Sequence, residues 1–217
     1  MIKALIFDLD NTLIDRRRAF KEMLEVKFSE LCDNPKLVEE MVKDTLLWDD
    51  NGTVTRDISL GNWAKKYHYD LGIAKKIGDD WSNESGKIAY LYPDVKSTLN
   101  KLKEKYIIAI LSNGNTASQR RKLETINIYN LIDYSLVSGE TSFKKPEKEI
   151  FDLVLNDLKI KADETVYIGD TYKIDVVGAR NANIKPIYID RFNETHDDVY
   201  TIHEISDLLN VDFNEIK

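Results

Sequence analysis

Asp8 and Asp10 stand two residues apart at the end of the apolar run Ala4-Leu5-Ile6-Phe7, and Thr12 follows two residues later. In an extended chain alternate side chains share a face, so both carboxylates could point to one side of a strand end. Such a pair suits a divalent cation, or a division of work between a nucleophile and a proton donor. The same residues also read as a strand entering an Asp/Asn turn with its carboxylates in water. The segment alone leaves both readings open. Three later segments carry residue types that act on anions or metals. They are Ser112-Asn113-Gly114, Lys145 ahead of Pro146, and Gly169-Asp170 with Asp175 five residues on.

These segments need elements to hold them. Residues 2–8 read as a fully buried strand, and so do the apolar runs at 106–111, 134–137, 165–168, 187–189 and 199–202. Helical patterns cover 116–126, 146–158, 174–182 and 204–209, and Pro93-Asp94 suits the first turn of another. Strands alternating with helices imply a parallel sheet covered on both faces, which takes ligands at the carboxyl ends of its strands. Asp8 and Asp10, Ser112 and Asn113, and Asp170 all fall at such ends.

Residues 16–90 differ in character. Ala19, Met23, Leu24, Val26, Phe28 and Leu31 recur at helical spacing, then Leu37, Met41, Val42, Leu46 and Leu47. Further helical patterns cover 58–67 and 74–81. Trp48, Trp63 and Trp81 all lie here and are expected in the core of a small helical bundle. Arg16-Arg17-Arg18 reads as a solvated helix start, or as a guanidinium placed for an anionic substrate. The turn Asp49-Asp50-Asn51-Gly52 with nearby Arg56 is either a plain connection or a specificity loop.

Composition bounds the class. The 217 residues suffice for one large domain or a domain with an insert. Against 31 Lys and Arg stand 38 Asp and Glu, a net charge of −7, which disfavours unaided nucleic-acid binding. The single Cys32 excludes an intramolecular disulfide and a Cys/His zinc spacing, and is expected half-buried in a helix. The start shows no basic segment followed by an apolar one, and no apolar run approaches about 18 residues. A cytoplasmic protein with no membrane partner is expected.

In order, Asp8-Leu9-Asp10-Asn11-Thr12, Leu111-Ser112, Lys145-Pro146 and Gly169-Asp170 with Asp175 resemble the four motifs of the haloacid dehalogenase superfamily. The resemblance covers nearly the whole chain. It implies an α/β fold: a Rossmann-like parallel sheet flanked by helices (1–14 and 91–217), with an all-α helical-bundle cap inserted at 15–90. It further implies Asp8 as nucleophile, Asp10 as general acid/base, and Mg²⁺ held by Asp8, the Asp10 backbone carbonyl and Asp170, with Asp175 in support. Thr12, Ser112, Asn113, Gly114 and Lys145 would bind phosphate, and Arg16, Asn51 and Arg56 are candidates for specificity. The expected activity is hydrolysis of a small phosphorylated metabolite, such as a nucleotide, sugar phosphate or phosphoglycolate, by a monomer or weak homodimer. The alternatives are a phosphomutase of the β-phosphoglucomutase kind, a haloacid dehalogenase, and a non-enzymatic phosphorylatable module. Dehalogenases generally lack the second aspartate, so Asp10 speaks against that one.

Overall fold

The computed structural model describes residues 1–213, 215 and 216. The chain divides into two compact units, Met1–Ile14 with Leu91–Lys217, and Asp15–Tyr90.

The first unit is built on a six-stranded, wholly parallel sheet. Its strands are β1 (Ala4–Phe7), β2 (Ile107–Ser112), β3 (Tyr134–Val137), β4 (Thr165–Gly169), β5 (Lys185–Ile189) and β6 (Tyr200–Ile202), in the order β3-β2-β1-β4-β5-β6. Every residue of β1 is buried, without alternation, as expected for a central strand covered on both faces. Ala4, Ile6, Leu111, Ile150, Phe151, Val154 and Tyr167 form one cluster of this core. The strand order reverses beside β1, the place where open parallel sheets bind ligands. Phe7 pairs with Ile110 of β2 and Ile168 of β4, so Asp8 emerges level with Leu111 and Gly169, and Ser112 and Asp170 follow one residue on.

The helices of this unit are α5 (Val95–Lys103), α6 (Thr116–Ile126), α7 (Lys148–Leu158) and α8 (Val177–Asn181); labels α1–α4 belong to the other unit. Three of them depart from the sequence reading. Helix α5 starts at Val95 rather than at Pro93, with Asp94 at the N-cap, whose carboxylate accepts the Ser206 amide at 2.8 Å instead of capping the helix. α7 starts at Lys148 with Glu147 as N-cap, two residues past Pro146. The segment expected as a helix over 174–182 opens with a π-helical turn, Tyr172–Val176, before α8. Such wide turns often mark functional sites, and this one carries Asp175. The last expected helix is a 3₁₀ segment, Ile205–Asn210.

The second unit is a bundle of α1 (Arg16–Ser29), α2 (Pro35–Asp49), α3 (Arg56–Tyr67) and α4 (Leu71–Glu84). Three of these helices start on side-chain caps. Asp15 accepts from the Arg18 amide, Asn34 from Lys36 and Asp70 from Gly72. Phe20, Leu24, Phe28, Met41, Trp63 and Trp81 lie in its core, where the Phe28 and Trp63 rings stack at 4.5 Å. Trp48 is only partly buried against this core. Val26 and Leu47 are exposed, since each faces away from the buried stripe of its helix. Cys32 is half-buried as expected, but it lies in the connection after α1, not within a helix.

Candidate active site

Asp8 leaves the end of β1, and its amide donates to the Ile168 carbonyl of β4 at 2.8 Å. Its side chain meets Lys145, whose Nζ donates to Asp8 Oδ1 at 2.6 Å, Asp175 Oδ1 at 2.7 Å and the Tyr167 hydroxyl at 2.8 Å. The lysine's three donors are thereby all directed to buried oxygens. Asp175 also accepts from the Tyr167 hydroxyl at 3.0 Å and from the Thr171 amide at 3.0 Å. Its approach depends on Gly169, where a Cβ would lie 2.4 Å from the Asp175 carboxyl carbon.

Asp170, one residue beyond β4, accepts the Thr12 hydroxyl at 3.2 Å. Carboxylate oxygens of Asp8, Asp170 and Asp175 all lie within 4.8 Å of one another, and the three residues are buried. Burial pushes the Asp8 carboxyl up to about 7, against the opposing pull of Lys145, and Asp175 and Asp10 add to the rise. Burial also raises Asp170 well above the usual carboxylate range, helped by Asp8 and Asp175. Burial works against the Lys145 ammonium, but Asp175 and Asp8 outweigh it and hold the lysine above its ordinary range. Hard oxygen donors gathered this closely, with too little positive charge among them, fit a small divalent cation such as Mg²⁺.

Asp10 takes different partners. Its carboxylate accepts from Lys122 Nζ at 2.7 and 2.8 Å and from Gln119 Nε2 at 2.8 Å. Ser112, at the end of β2, accepts from Gln119 Nε2 at 2.6 Å. Asp8 with Lys145 and Asp175, Asp10 with Ser112, and Thr12 with Asp170 thus form three hydrogen-bonded sets at neighbouring strand ends.

The Asn113 side chain and the Gly114 amide both have partners within the protein. Asn113 Nδ2 donates to the Lys145 carbonyl, and its Oδ1 accepts the Lys145 amide, each at 2.9 Å. Its side chain therefore clamps the lysine's backbone. The Gly114 amide, expected as a phosphate donor, instead donates to Ser138 Oγ at 3.0 Å. The segment after β3 thus takes up that amide.

In the helical unit Arg16 is buried, contrary to a solvated helix start. Its guanidinium makes a two-pronged pair with Asp49, at 2.7 and 3.1 Å. Asn51 accepts from Arg17 at 2.6 Å, and Arg56 lines an open cleft of about 380 Å³ with Gly52, Val54, Asp57, Gly78 and Ser82.

Sequence reasoning missed Tyr167, Gln119 and Lys122. Tyr167 lies inside an apolar strand and reads as core. Gln119 and Lys122 carried a usable signal, because they share an i, i+3, i+4, i+7 stripe with Leu123 and Ile126 on a helix that directly follows a motif strand. Polar residues on a buried stripe next to strand ends mark groups with buried partners.

Among known proteins, the family model of the haloacid dehalogenase-like hydrolases matches residues 5–189. The chain is 28% identical over 203 residues to human N-acylneuraminate-9-phosphatase, covering 85% of this chain and 80% of the relative. It is likewise 28% identical over 228 residues to the glyceraldehyde 3-phosphate phosphatase of Methanothermobacter thermautotrophicus, covering 96% and 98%. Among solved structures, the Bacillus subtilis HAD-hydrolase YfnB bound to magnesium superposes with a TM-score of 0.76 at 20% identity, covering 99% of each chain. A HAD phosphatase from Thermococcus onnurineus superposes with a TM-score of 0.66 at 22% identity, covering 100% of each. Among the described residues no helix is long and apolar enough to cross a membrane.

Proposed function

The chain belongs to the haloacid dehalogenase-like hydrolases, and from that premise we propose a Mg²⁺-dependent phosphatase of small phosphorylated carbohydrates that works through an aspartyl-phosphate. The observation that carries the reading is the cluster of Asp8, Asp170 and Asp175 around Lys145 at the end of β1. The phosphatase activity agrees with the relatives, which are named as phosphatases. Their named substrates support a sugar-like substrate here.

Asp8 is the nucleophile, because it stands at the strand end with Lys145 orienting its carboxylate. Its oxygen bonds to phosphorus while the ester P–O bond breaks, and Asp10 gives a proton to the departing oxygen. Water then attacks the phosphorus, Asp10 takes its proton, and the bond to Asp8 breaks to release phosphate. Lys145 sets positive charge beside the Asp8 carboxylate, and the Ser112 hydroxyl would donate to a phosphoryl oxygen. Asp8, Asp170 and the Asp10 backbone carbonyl would hold the metal ion. When bound, Mg²⁺ supplies positive charge against the carboxylates and the transferring phosphoryl group. We assign residues 15–90 as a cap that carries substrate contacts, with Asn51 on its candidate specificity loop and Arg56 nearby at the start of α3. Arg16 supports that loop through Asp49 rather than meeting substrate.

Hydrolysis of p-nitrophenyl phosphate with Mg²⁺, repeated with EDTA, tests the reading. Turnover that the chelator abolishes is expected, and turnover that survives it overturns the metal assignment. A panel of sugar phosphates and nucleotides then tests the substrate class, with preference for a nucleotide counting against it.

A further inference from the structure

Lys122 and Gln119 lie outside the four motifs, yet both are buried, at 5% and 3% exposure. They sit one turn apart on α6 and reach the same carboxylate. Lys122 Nζ bridges both oxygens of Asp10, at 2.7 and 2.8 Å. Gln119 Nε2 donates to Asp10 Oδ2 at 2.8 Å and to Ser112 Oγ at 2.6 Å. A lysine on a helix usually carries its ammonium to water, and burying one costs several kcal/mol unless it is paired and hydrogen-bonded. Asp10 itself is less covered, its side chain 22% exposed. Deeply buried groups thus grip a partly exposed one, an arrangement that fixes the orientation of the exposed member.

We propose that Lys122 and Gln119 are positioning residues that lock the Asp10 carboxylate in its working orientation and tie it to the Ser112 hydroxyl. The inference rests on the phosphatase reading. In the first half-reaction the Asp8 oxygen–phosphorus bond forms, the phosphorus–ester oxygen bond breaks, and the Asp10 proton moves to the departing oxygen to give a neutral alcohol. In the second, water oxygen bonds to phosphorus, its proton returns to Asp10, and the phosphorus–Asp8 bond breaks. A basic alkoxide needs that proton to leave, whereas 2,4-dinitrophenolate does not. Misplacing Asp10 therefore slows an alkyl ester far more than a dinitrophenyl ester. A merely structural lysine would slow both alike.

The test is kcat/KM for an alkyl phosphate and for 2,4-dinitrophenyl phosphate in the wild type, K122M, K122R, Q119M, D10N and K122M/D10N. The ratio kcat/KM reports steps up to the first irreversible one, which here includes leaving-group departure and excludes hydrolysis of the intermediate. Expected is a loss for K122M about tenfold to a hundredfold greater on the alkyl ester. K122R should restore most of it, because a guanidinium also pairs with both carboxylate oxygens. Q119M should show a smaller bias of the same sign, which keeps the test open if K122M does not fold. The double variant should be no worse than D10N. Equal losses on both esters, or losses that add in the double variant, overturn the inference while leaving the phosphatase reading intact. A folded wild type that hydrolyses neither ester overturns both.

Discussion

Each compact unit buries a cation against carboxylates, and the two arrangements differ in balance. In the helical unit Arg16 meets Asp49 two-pronged, one positive group against one negative. In the α/β unit Lys145 faces Asp8 and Asp175, with Asp170 beside them, one positive group against three acidic ones. The balanced pair ties the start of α1 to the end of α2, where the chain turns into Asp50–Gly52. In the unbalanced cluster burial first, and then the neighbouring carboxylates, disfavour the ionised forms and raise Asp8 and Asp170. A protein keeps such a penalty where a ligand relieves it. Both clusters are buried, and these two differ in charge balance.

Substitutions in both units and a change of pH would break this comparison, and the largest effect is expected at Asp8. D8N should lower phosphatase turnover by about a thousandfold or more, since the nucleophile is lost. It should also raise the melting temperature of the metal-free protein at pH 8, because a neutral amide removes a charge that burial disfavours there. A metal-free D8N protein that melts lower than wild type would contradict the account of the cluster.

The opposite sign is expected in the helical unit. D49A should destabilise the fold by about 3–5 kcal/mol in urea unfolding, because it strands the buried Arg16 guanidinium. Replacing both partners, as in R16L/D49L, should cost less than D49A alone. Equal or larger loss in the double variant would show that the pair does more than balance charge.

The smallest effect is a pH dependence. Between the usual aspartate value of about 4 and about 7, the folded metal-free protein holds more protons than the unfolded chain. Its stability therefore falls as pH rises through that window. Divalent cations bind the ionised oxygens, so Mg²⁺ should raise the melting temperature more at pH 8 than at pH 5, at about 2–4 °C per kcal/mol for a chain of this size. Equal gains at both pH values would remove Asp8 and Asp170 from the metal site.

Much of this was readable from the chain. The strand before Asp8, the strand before Gly169 and the helical pattern of residues 16–90 all rest on local periodicity, which needs no partner to be seen. The four motif segments were legible because their residue types are unusual at strand ends. Less legible were groups whose role depends on what lies across from them. Arg16 looked like any arginine at a helix start until Asp49, 33 residues on, closed over it. Tyr167 looked like one more core residue of a buried strand. The amide of Gly114 looked available until Ser138 was seen to take it.

By itself the sequence determined the alternation of strands and helices and the chemical types delivered to the strand ends, because both are properties of short segments. Tertiary structure alone decided which of those groups meet. Parallel pairing of β1 with β2 and β4 brings Asp8, Ser112 and Asp170 to within one residue of the same level across more than 100 residues of chain. The inward stripe of α6 then gives Asp10 the partners Lys122 and Gln119. Electrostatic balance is a property of distance in space, and only the fold sets that distance.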